Sequence, residues 1–451
     1  MARSIKPPNW LEKLSRDPSR YLQDWAMRPE NRKAVALANS AKTYLPWRKF
    51  RHRMGSLSRK EVEDLWVLAK LQRQASRRYL PFQGTSGRPF SLVEDPSQKK
   101  ALWRIDTRQG ILAEDLHRSA EDGDGWALYL PKVMDQEAYY SSRIEGAVTT
   151  RRKAKEMLRE NRAPRDKAEQ MILNNFRTLQ RIQEAWKDEP LTPERLLEIQ
   201  AAITENTLDN PEDSGVFRRD DEVQVLDRNT GELVHQPPSF EQLPARMEAL
   251  CHFANHEESE EEGFVHPLVR AAVLHFQLTY DHPFGDGNGR TARALFVWSL
   301  LRRKEYHWIR FVSISRGIHA SRESYYQSFQ DVEEDELDLT YSVNYQLRVL
   351  EQEIRRMAAA LREGRELQAK SQKGFKLKQR LNSRQVRILH SALKHETAEF
   401  TQSGHAVYHD ITPMTANRDL NGMVTLGLLK RTRRSRTWIY QATAKLLNLE
   451  R

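Results

Sequence analysis

A potential base, a carboxylate and two arginines lie within twelve consecutive residues, His282 to Arg293. His282 can accept a proton near neutral pH. Asp286, placed beside a polyphosphate, would share a Mg²⁺ ion with it. Arg290 and Arg293 supply guanidinium forks of the shape that suits phosphate oxygens. These residue types at this spacing predict the transfer of a group from a nucleotide.

Two apolar helical runs flank this stretch and must hold it in place. Residues 264–280 carry apolar side chains at helical spacing, and residues 294–301 form a second apolar run. Three glycines lie between the runs, so the connection is tight and its backbone N–H groups converge. Because the second helix is predicted to begin inside the loop, its positive N-terminal end faces the bound anion. Phe284, the one apolar residue among polar ones, is predicted to plug the loop into the core.

The stretch matches, without a departure, the signature of the Fic family, His-x-Phe-x-(Asp/Glu)-Gly-Asn-Gly-Arg-x-x-Arg. The resemblance extends more loosely from Tyr139 to Tyr326. Most proteins of that family with the complete signature transfer AMP from ATP to a protein hydroxyl. The resemblance therefore implies a nucleotidyltransferase that uses ATP and Mg²⁺ to AMPylate a Ser, Thr or Tyr of a protein substrate, which can be the chain itself.

The resemblance also implies a role for each residue of the signature. His282 would take the proton of the target hydroxyl, Asp286 would hold Mg²⁺, and Arg293 would reach the γ-phosphate. Donors that are fixed before the reaction stabilise the charge that develops on the transferred phosphate. Tyr325 is a candidate for the adenine pocket, with a place in the core as the alternative. The residues implied to bind the nucleotide are Gly285, Gly287, Asn288, Gly289, Arg290, Arg293 and Tyr325.

A second motif, Ser141-Ser142-Arg143-Ile144-Glu145-Gly146, lies upstream of the signature. Alone, it describes a helix C-terminus with a Gly cap. It resembles the family's inhibitory motif, (Ser/Thr)-x-x-x-Glu-(Gly/Asn), whose glutamate pairs in relatives with the arginine that matches Arg293. The resemblance implies that Glu145 takes the partner of the γ-phosphate and holds ATP in a poor pose. Because the motif lies in the same chain, no separate antitoxin is expected.

A hairpin is predicted between the two motifs. It consists of an alternating strand at residues 223–226, a turn at Asn229-Thr230-Gly231 and a second strand at residues 233–234. The Fic family carries a flap over the active site at this place. Its exposed edge could pair with the backbone of an extended target segment and so align a hydroxyl with His282. An ordinary surface hairpin is the alternative.

The last segment of the chain has a different character. Residues 383–393 show an apolar helical period, a short helix is predicted at residues 404–409, and a third helix opens at Pro413. The basic run at residues 430–436 lies in a hairpin-like turn. This order resembles a winged helix-turn-helix with a basic wing.

The resemblance implies which residues of this segment would contact DNA. Thr415, Asn417 and Arg418 would face the major groove, and Arg433 and Arg434 of the wing would contact phosphates. Winged helices also serve as protein contacts, and that alternative stays open.

Charge is unevenly distributed along the 451 residues, whose net charge is +11. Residues 1–90 carry 20 Lys and Arg against 7 Asp and Glu, and residues 370–451 carry 16 against 5, so the middle of the chain is net acidic. Basic ends on an acidic catalytic middle indicate separate modules. They favour a nucleic acid as partner at one end.

The sequence predicts a mainly α fold, with a Fic-type helical core, a β-hairpin flap, a helical N-terminal module and a C-terminal winged helix. The N-terminal module is expected to contain a helix at residues 61–80 and a loop at residues 79–96. The predicted boundaries are 1–114 for the N-terminal module, 115–338 for the catalytic core with the inhibitory helix at about 133–147 and the flap at about 222–238, 339–375 for a connecting helix and 376–451 for the winged helix.

Composition indicates the class of protein and the compartment. Charged residues make up 30% and hydrophobic residues 39% of the chain, and no stretch approaches the roughly 20 apolar residues of a membrane helix. No membrane partner is therefore expected, and the first residues lack an apolar signal region. Cys251 is the only cysteine, which excludes intramolecular disulfides and favours a reducing cytoplasm. The helical pattern around Cys251 predicts a place in the core.

The sequence leaves two classes of function open. The first is an autoinhibited enzyme that transfers AMP to a protein, or that also removes it with Glu145 positioning a water. The second is a DNA-binding regulator whose Fic core senses a nucleotide. Kinase-type relatives carry lysine at the position of Gly289, so that chemistry is not expected. The expected partners are a protein substrate and DNA, and a homodimer remains open.

Overall fold

The computed structural model describes residues 6–25, 28–40, 43–107, 125–226, 231, 233–256, 263–374, 381–394, 398–409, 411–434 and 437–447. The predicted turn residues Asn229 and Thr230 lie outside the described residues, as does the predicted start of the catalytic core at residue 115.

The described chain is mainly helical, as the sequence predicts. The first helices are α1 (Trp10–Arg16), α2 (Pro29–Ala38), α3 (Trp47–Arg53) and α4 (Arg59–Gln74), with a π-helical turn at Arg20–Trp25. The central helices are α5 (Gly125–Ile144), α6 (Arg151–Glu160), α7 (Lys167–Glu184), α8 (Pro193–Thr204), α9 (Leu243–Asn255), α10 (Pro267–Asp281), α11 (Asn288–Leu301), α12 (Ile314–Ala320), α13 (Arg322–Glu334) and α14 (Thr340–Gly374). The last helices are α15 (Ser383–Lys394), α16 (Gln402–His409), α17 (Pro413–Thr425) and α18 (Ala444–Leu447). Short 3-10 helices lie at Trp186–Asp188, Pro211–Asp213, Phe240–Gln242 and Lys304–Phe311.

The strands form small antiparallel sheets. The two-stranded pairs are β1 (Asn39–Ser40) with β2 (Thr43–Tyr44), β3 (Arg77–Gln83) with β4 (Pro89–Val93), and β5 (Val225–Leu226) with β6 (Leu233–His235). A three-stranded sheet has the order β7 (Glu399–Thr401), β9 (Thr437–Ala442), β8 (Leu429–Arg434). The pair of β5 and β6 is the hairpin predicted between the two motifs.

Helices α10 and α11 pack against each other at the centre of the main hydrophobic core. Nearly every residue of both helices is buried. A helix that is buried all round is fixed by its neighbours on every side, and it needs no polar face. The loop between these two helices is therefore held at both ends by helices that are buried in the main core.

The structure corrects the loop predicted at residues 79–96. Leu80 and Phe82 are buried on β3 with the exposed Pro81 between them, whereas residues 90–93 of β4 are all buried. The period of two on β3 is a strand pattern. The Gly-rich segment 84–87 that favoured a loop forms only the turn, and the predicted helix at 61–80 ends at Gln74.

The turn between β3 and β4 packs against the C-terminal end of α10. The Thr85 N–H donates to the Tyr280 hydroxyl at 3.0 Å. Arg246 of α9 pairs with Asp281 at 2.6 Å and donates to the carbonyl of Gln83 at 2.6 Å. The N-terminal part of the chain thus supports the last turn of the helix that carries the signature loop.

Residues 383–447, called the C-terminal module below, have a hydrophobic core of their own. Its order of three helices followed by the β8–β9 hairpin is the order that the sequence predicts. Helices α15 and α16 pack on α5 and α6. At this contact, Cζ of Arg387 and of Arg159 lie 3.8 and 5.1 Å from the ring centroid of Tyr408, an arrangement that favours cation–π attraction.

Among the described residues, no helix combines the length and the apolar character needed to cross a lipid bilayer.

Candidate active site

The signature forms the loop between α10 and α11. His282 ends α10 with a left-handed backbone, φ 47°, which is costly for a residue other than glycine and must be enforced by its surroundings. Phe284 is fully buried and stacks on Phe217, as the sequence predicts. The Asn288 side chain donates to the carbonyl of Phe284 at 2.7 Å and accepts from its N–H at 3.0 Å. These contacts fix the course of the loop.

The His282 ring is neutral and has a defined tautomer. Nδ1 lies 3.1 Å from the carbonyl oxygen of Thr279, which can only accept, so Nδ1 carries the proton and Nε2 carries the lone pair. Burial lowers the pKa of His282 from 6.5 to about 4, against the opposing effect of the Thr279 contact. Nε2 can therefore accept a proton throughout the neutral range.

Asp286 is the residue of the loop that fits a Mg²⁺ ion. Its side chain is half exposed, Oδ1 accepts from the Gly287 N–H at 2.6 Å, and Oδ2 pairs with Arg290 at 3.0 Å. Within the described ranges there is no group of three or more His, Cys, Asp or Glu that could hold a metal. Mg²⁺ commonly uses one or two carboxylates and completes its shell with phosphate oxygens and water. Asp286 therefore suits a Mg²⁺ that arrives with a nucleotide.

The N-terminus of α11 offers an anion site. Its N-cap is Gly287, which has no side chain to accept from the first-turn N–H groups. Gly287 has φ 91°, and a Cβ there would lie 2.8 Å from Cγ2 of Thr204. A Cβ on Gly289 would collide with Oε1 of Glu145. The carboxylate of Glu145 thus lies over the helix start, where a phosphate is expected.

Arg293 is held by the upstream motif. It is almost completely buried, and its Nη2 lies 2.9 Å from Oε1 of Glu145. Its Nε donates to the Ser141 hydroxyl at 2.9 Å, and Nη2 also donates to the Ser141 carbonyl at 3.0 Å. Two residues that were matched to the inhibitory motif from sequence therefore contact the last arginine of the signature.

A buried carboxylate anchors α5, the helix that carries Ser141 and Glu145. Glu137 accepts from the Ser313 hydroxyl at 2.8 Å and from the Ser315 N–H at 3.0 Å, and the Ser315 hydroxyl contacts it as well. No motif in the sequence marks Glu137. The sequence shows only a charged residue at an apolar position of a helix. Its role can be inferred only when its distant partners are known.

Arg290 and Gln200 hold the loop from behind. The buried Arg290 donates to the carbonyl of Ile203 at 3.1 Å and to Asp286, so its guanidinium ties the loop to α8. Gln200 accepts from the Gly215 N–H at 2.6 Å and donates to the Asp286 carbonyl at 3.1 Å. Asn288 and Arg290 thus direct their side chains to protein groups. No motif in the sequence marks Gln200.

Tyr325 lies in the core. It is buried, and its hydroxyl is 3.2 Å from Nε2 of His275. This placement favours the core role over the adenine-pocket role that the sequence left open beside it. Its neighbour Tyr326 is exposed and lies near Arg322, which caps the end of α5 by donating to the carbonyl of Ile144 at 2.8 Å.

The residues predicted to contact DNA lie away from the signature loop, on the C-terminal module. Asn417 and Arg418 of α17 are exposed, whereas Thr415 is half-buried. Arg433 and Arg434 are exposed on β8, and Arg434 forms a two-point pair with Glu399 at 3.1 and 3.2 Å. All except Thr415 are open to a partner.

Comparison with known proteins identifies the region around the loop. Residues 190–300 match the family model described as Fic/DOC family. A protein adenylyltransferase Fic of Nematostella vectensis is 35% identical over 116 residues, which are 26% of this chain and 24% of the relative. A protein of the same name from Drosophila grimshawi is 38% identical over 93 residues, or 21% of this chain and 17% of the relative. The chain thus spans a quarter or less of the length of these curated relatives.

Solved structures give a broader and weaker likeness. The crystal structure of a Fic family protein from Desulfovibrio desulfuricans G20 has a TM-score of 0.47 and 19% sequence identity, and the match covers 76% of this chain and 96% of that one.

Proposed function

We propose that this chain is a protein adenylyltransferase, which moves AMP from ATP to a Ser, Thr or Tyr hydroxyl of a protein, because residues 190–300 match the Fic/DOC family model. The observation that carries the proposal is a complete signature folded on one loop, with a neutral His282, the carboxylate of Asp286 and the start of α11 together. The curated relatives that match this region support ATP as the donor and a protein as the acceptor.

In the proposed reaction, Nε2 of His282 takes the proton of the hydroxyl as its oxygen attacks the α-phosphorus of ATP. The bond to the β-phosphate oxygen breaks, pyrophosphate leaves, and AMP stays on the hydroxyl oxygen. The first-turn N–H groups of α11 are fixed donors for the charge that develops on the phosphate. Mg²⁺, held by Asp286 and the phosphates, would neutralise charge on the leaving group.

We also propose that Glu145 inhibits this reaction. Its carboxylate lies over the start of α11 and pairs with Arg293, the residue that the γ-phosphate would otherwise use. A charge-assisted pair of this kind is worth roughly 1.5–3 kcal/mol. If the pair competes directly with productive ATP binding, its removal should raise the transfer rate by about 10- to 100-fold.

The test measures AMP incorporated from α-labelled ATP into the chain itself and into lysate proteins. Glu145→Gly should label faster than the unaltered chain. Adding His282→Ala should abolish labelling and leave ATP binding intact, because the base is lost and the anion site is not. Adding Arg293→Ala to Glu145→Gly should slow transfer again, because the γ-phosphate loses its partner.

Other outcomes would contradict parts of this proposal. Undiminished labelling by the His282→Ala variant would reject His282 as the base, and equal rates with and without Glu145 would make Glu145 an ordinary helix-end residue. A Glu145→Gly variant that gains labelling but no longer strips AMP from a labelled protein would favour an enzyme that works in both directions.

A second candidate function is DNA binding by the C-terminal module. It is favoured by the exposure of Asn417 and Arg418 on one helix and of Arg433 on the neighbouring strand, which is the distribution that a groove contact and a phosphate contact require. Under this second proposal, one chain carries both nucleotide chemistry at the signature loop and DNA binding at the C-terminal module.

A further inference from the structure

Arg218 connects the catalytic loop with the base of the flap, although it lies outside the signature. Its Nε donates to the carbonyl of His282 at 3.0 Å, and its own backbone N–H donates to the carbonyl of Pro283 at 2.8 Å. The guanidinium therefore contacts the backbone of the proposed base itself. It does so at the residue with the left-handed backbone, where a fixed contact is most needed.

The remaining donors of Arg218 reach both ends of the flap, the hairpin of β5 and β6. On the entry side, Nη1 donates to the carbonyl of Asp220 at 2.6 Å and pairs with Asp221 at 2.8 Å. On the exit side, Nη2 donates to the carbonyl of Pro238. Asp221 also accepts from the Phe240 N–H at 2.7 Å, so it closes the hairpin base from the opposite side.

This set of contacts requires arginine. The Arg218 side chain is only 2% exposed, whereas its partner Asp221 is 48% exposed, so the chain keeps a cation buried where carbonyl oxygens supply most of its partners. Burying a charge is costly unless all its hydrogen bonds are made. Only guanidinium offers a planar fork of five N–H donors, and lysine could reach a part of these acceptors. The buried guanidinium therefore fixes two segments relative to each other. Their contact residues, Arg218 and His282, lie 64 residues apart in the sequence.

We propose that Arg218 is a positioning residue, which sets the distance between the flap edge and Nε2 of His282. The inference rests on the proposed function, because it assumes that an extended acceptor segment pairs with the flap. A segment held on the flap presents its hydroxyl at a fixed place only if the flap is fixed relative to the base. Arg218 touches neither acceptor nor nucleotide in this proposal, and it acts through His282 and through the two ends of the hairpin.

The test uses the whole chain with Glu145→Gly, so that transfer can be measured. Arg218→Lys and Arg218→Gln are compared with Arg219→Gln, whose arginine is the exposed sequence neighbour. Turnover should fall about 10- to 100-fold in both Arg218 variants, since a displacement of about 1 Å can cost about 100-fold. Affinity for ATP should stay within about twofold. The melting temperature should fall by a few degrees relative to the Arg219→Gln control, because buried carbonyl groups lose their donor.

A second variant separates the two halves of the inference. Asp221→Asn keeps the contact of Arg218 with His282 and weakens the flap base alone. It should therefore raise KM for the acceptor protein more than it lowers kcat, whereas Arg218→Lys should lower kcat. Hydrogen exchange supplies a readout that needs no chemistry, because residues 222–238 and 278–288 should exchange faster together in Arg218→Gln and not in Arg219→Gln.

Each result supports or overturns the proposal. Unchanged turnover, or unchanged exchange in both segments, would overturn it. A parallel loss of ATP affinity, melting temperature and turnover would reduce Arg218 to a general structural residue and would overturn it as well. If Glu145→Gly shows no transfer that depends on His282, the proposed function fails instead, and the exchange experiment still decides whether Arg218 couples the two segments.

Discussion

One hydrogen bond and burial set the state of the imidazole of His282, the proposed base. The Nδ1–H group donates to the carbonyl of Thr279, which leaves the lone pair on Nε2, and burial lowers the pKa to about 4 against the opposing effect of the Thr279 contact. A free histidine would be partly protonated near pH 6.5 and would lose base strength there. The fold therefore lowers the basicity of His282, and in return the ring keeps one protonation state across the neutral pH range.

The first prediction follows from this lowered pKa. Between pH 6.5 and about 4 the folded ring stays neutral, while the same ring in the unfolded chain takes up a proton. The titration of His282 should therefore not change the transfer rate from about pH 6 to 8, and the rate should fall only near pH 4 to 5. By the same linkage, burying this neutral ring costs stability as the pH falls through that window. Initial rates of Glu145→Gly at saturating ATP measure the effect. A midpoint near 6.5 would show that the ring is solvated in the working enzyme.

The position of the signature on one loop could be predicted from the sequence. The groups that its side chains contact could be predicted only in part. Glu145 contacts Arg293, the pairing that the resemblance implies, and the roles of His282 and Glu145 in a reaction stay predictions. Asn288 and Arg290 instead direct their side chains to Phe284, Ile203 and Asp286. A motif records which residue is needed, and it does not say whether the side chain meets the ligand or the protein.

At the scale of elements, helix α5, which is proposed to be inhibitory, is attached at two places about two turns apart. Ser141 and Glu145 hold Arg293 at its end, and Glu137 is anchored at Ser313 and Ser315. Because Glu137 fixes α5, the position of Glu145 depends on contacts along the helix as well as on the contact with Arg293. Loosening the helix far from Arg293 should therefore weaken inhibition.

The second prediction concerns this anchor. Glu137→Ala leaves the buried N–H of Ser315 without its carboxylate, at a cost of about 1–3 kcal/mol. The melting temperature should fall by several degrees, and labelling by the otherwise unaltered chain should rise, by less than Glu145→Gly achieves. Glu156→Ala, at an exposed position of α6, is the matched control and should change neither quantity. A loss of stability without faster labelling would mean that the helix holds Glu145 through its end alone.

Elements with a local signal were predictable, and the contacts between distant elements were not. The helices around the signature follow an apolar period, and the flap hairpin follows alternation around a turn. The β3–β4 hairpin was missed because its Gly-rich turn at residues 84–87 outweighed the alternation of Leu80 and Phe82 on β3. The contact between Arg218 and His282 spans 64 residues and that between Glu137 and Ser313 spans 176, so neither leaves a trace in a local pattern.

At the scale of the whole molecule, the third prediction tests the C-terminal module as a DNA contact. The full chain should bind duplex DNA with an affinity that falls steeply with salt, because released counterions drive such binding. Arg433→Ala should weaken binding to all sequences and lower the salt slope by about one, whereas Arg418→Ala should weaken preferred sequences most. Arg362→Ala, at an exposed position of α14 outside the module, is the control. No retarded duplex at low salt, or three variants that bind alike, would identify the face as a protein contact.

The C-terminal module packs on α5 and α6 through α15 and α16, while Asn417 and Arg418 remain exposed on α17. Docking and the proposed DNA contact therefore use different surfaces and need not exclude each other. A bound duplex would then act as a tether for the catalytic loop. Proteins on the same stretch of DNA would meet that loop at an effective concentration that can reach the millimolar range over a short reach. Selection among acceptors would come from their position on the DNA. This would suit a flap that, as proposed, pairs mainly with the backbone of its target.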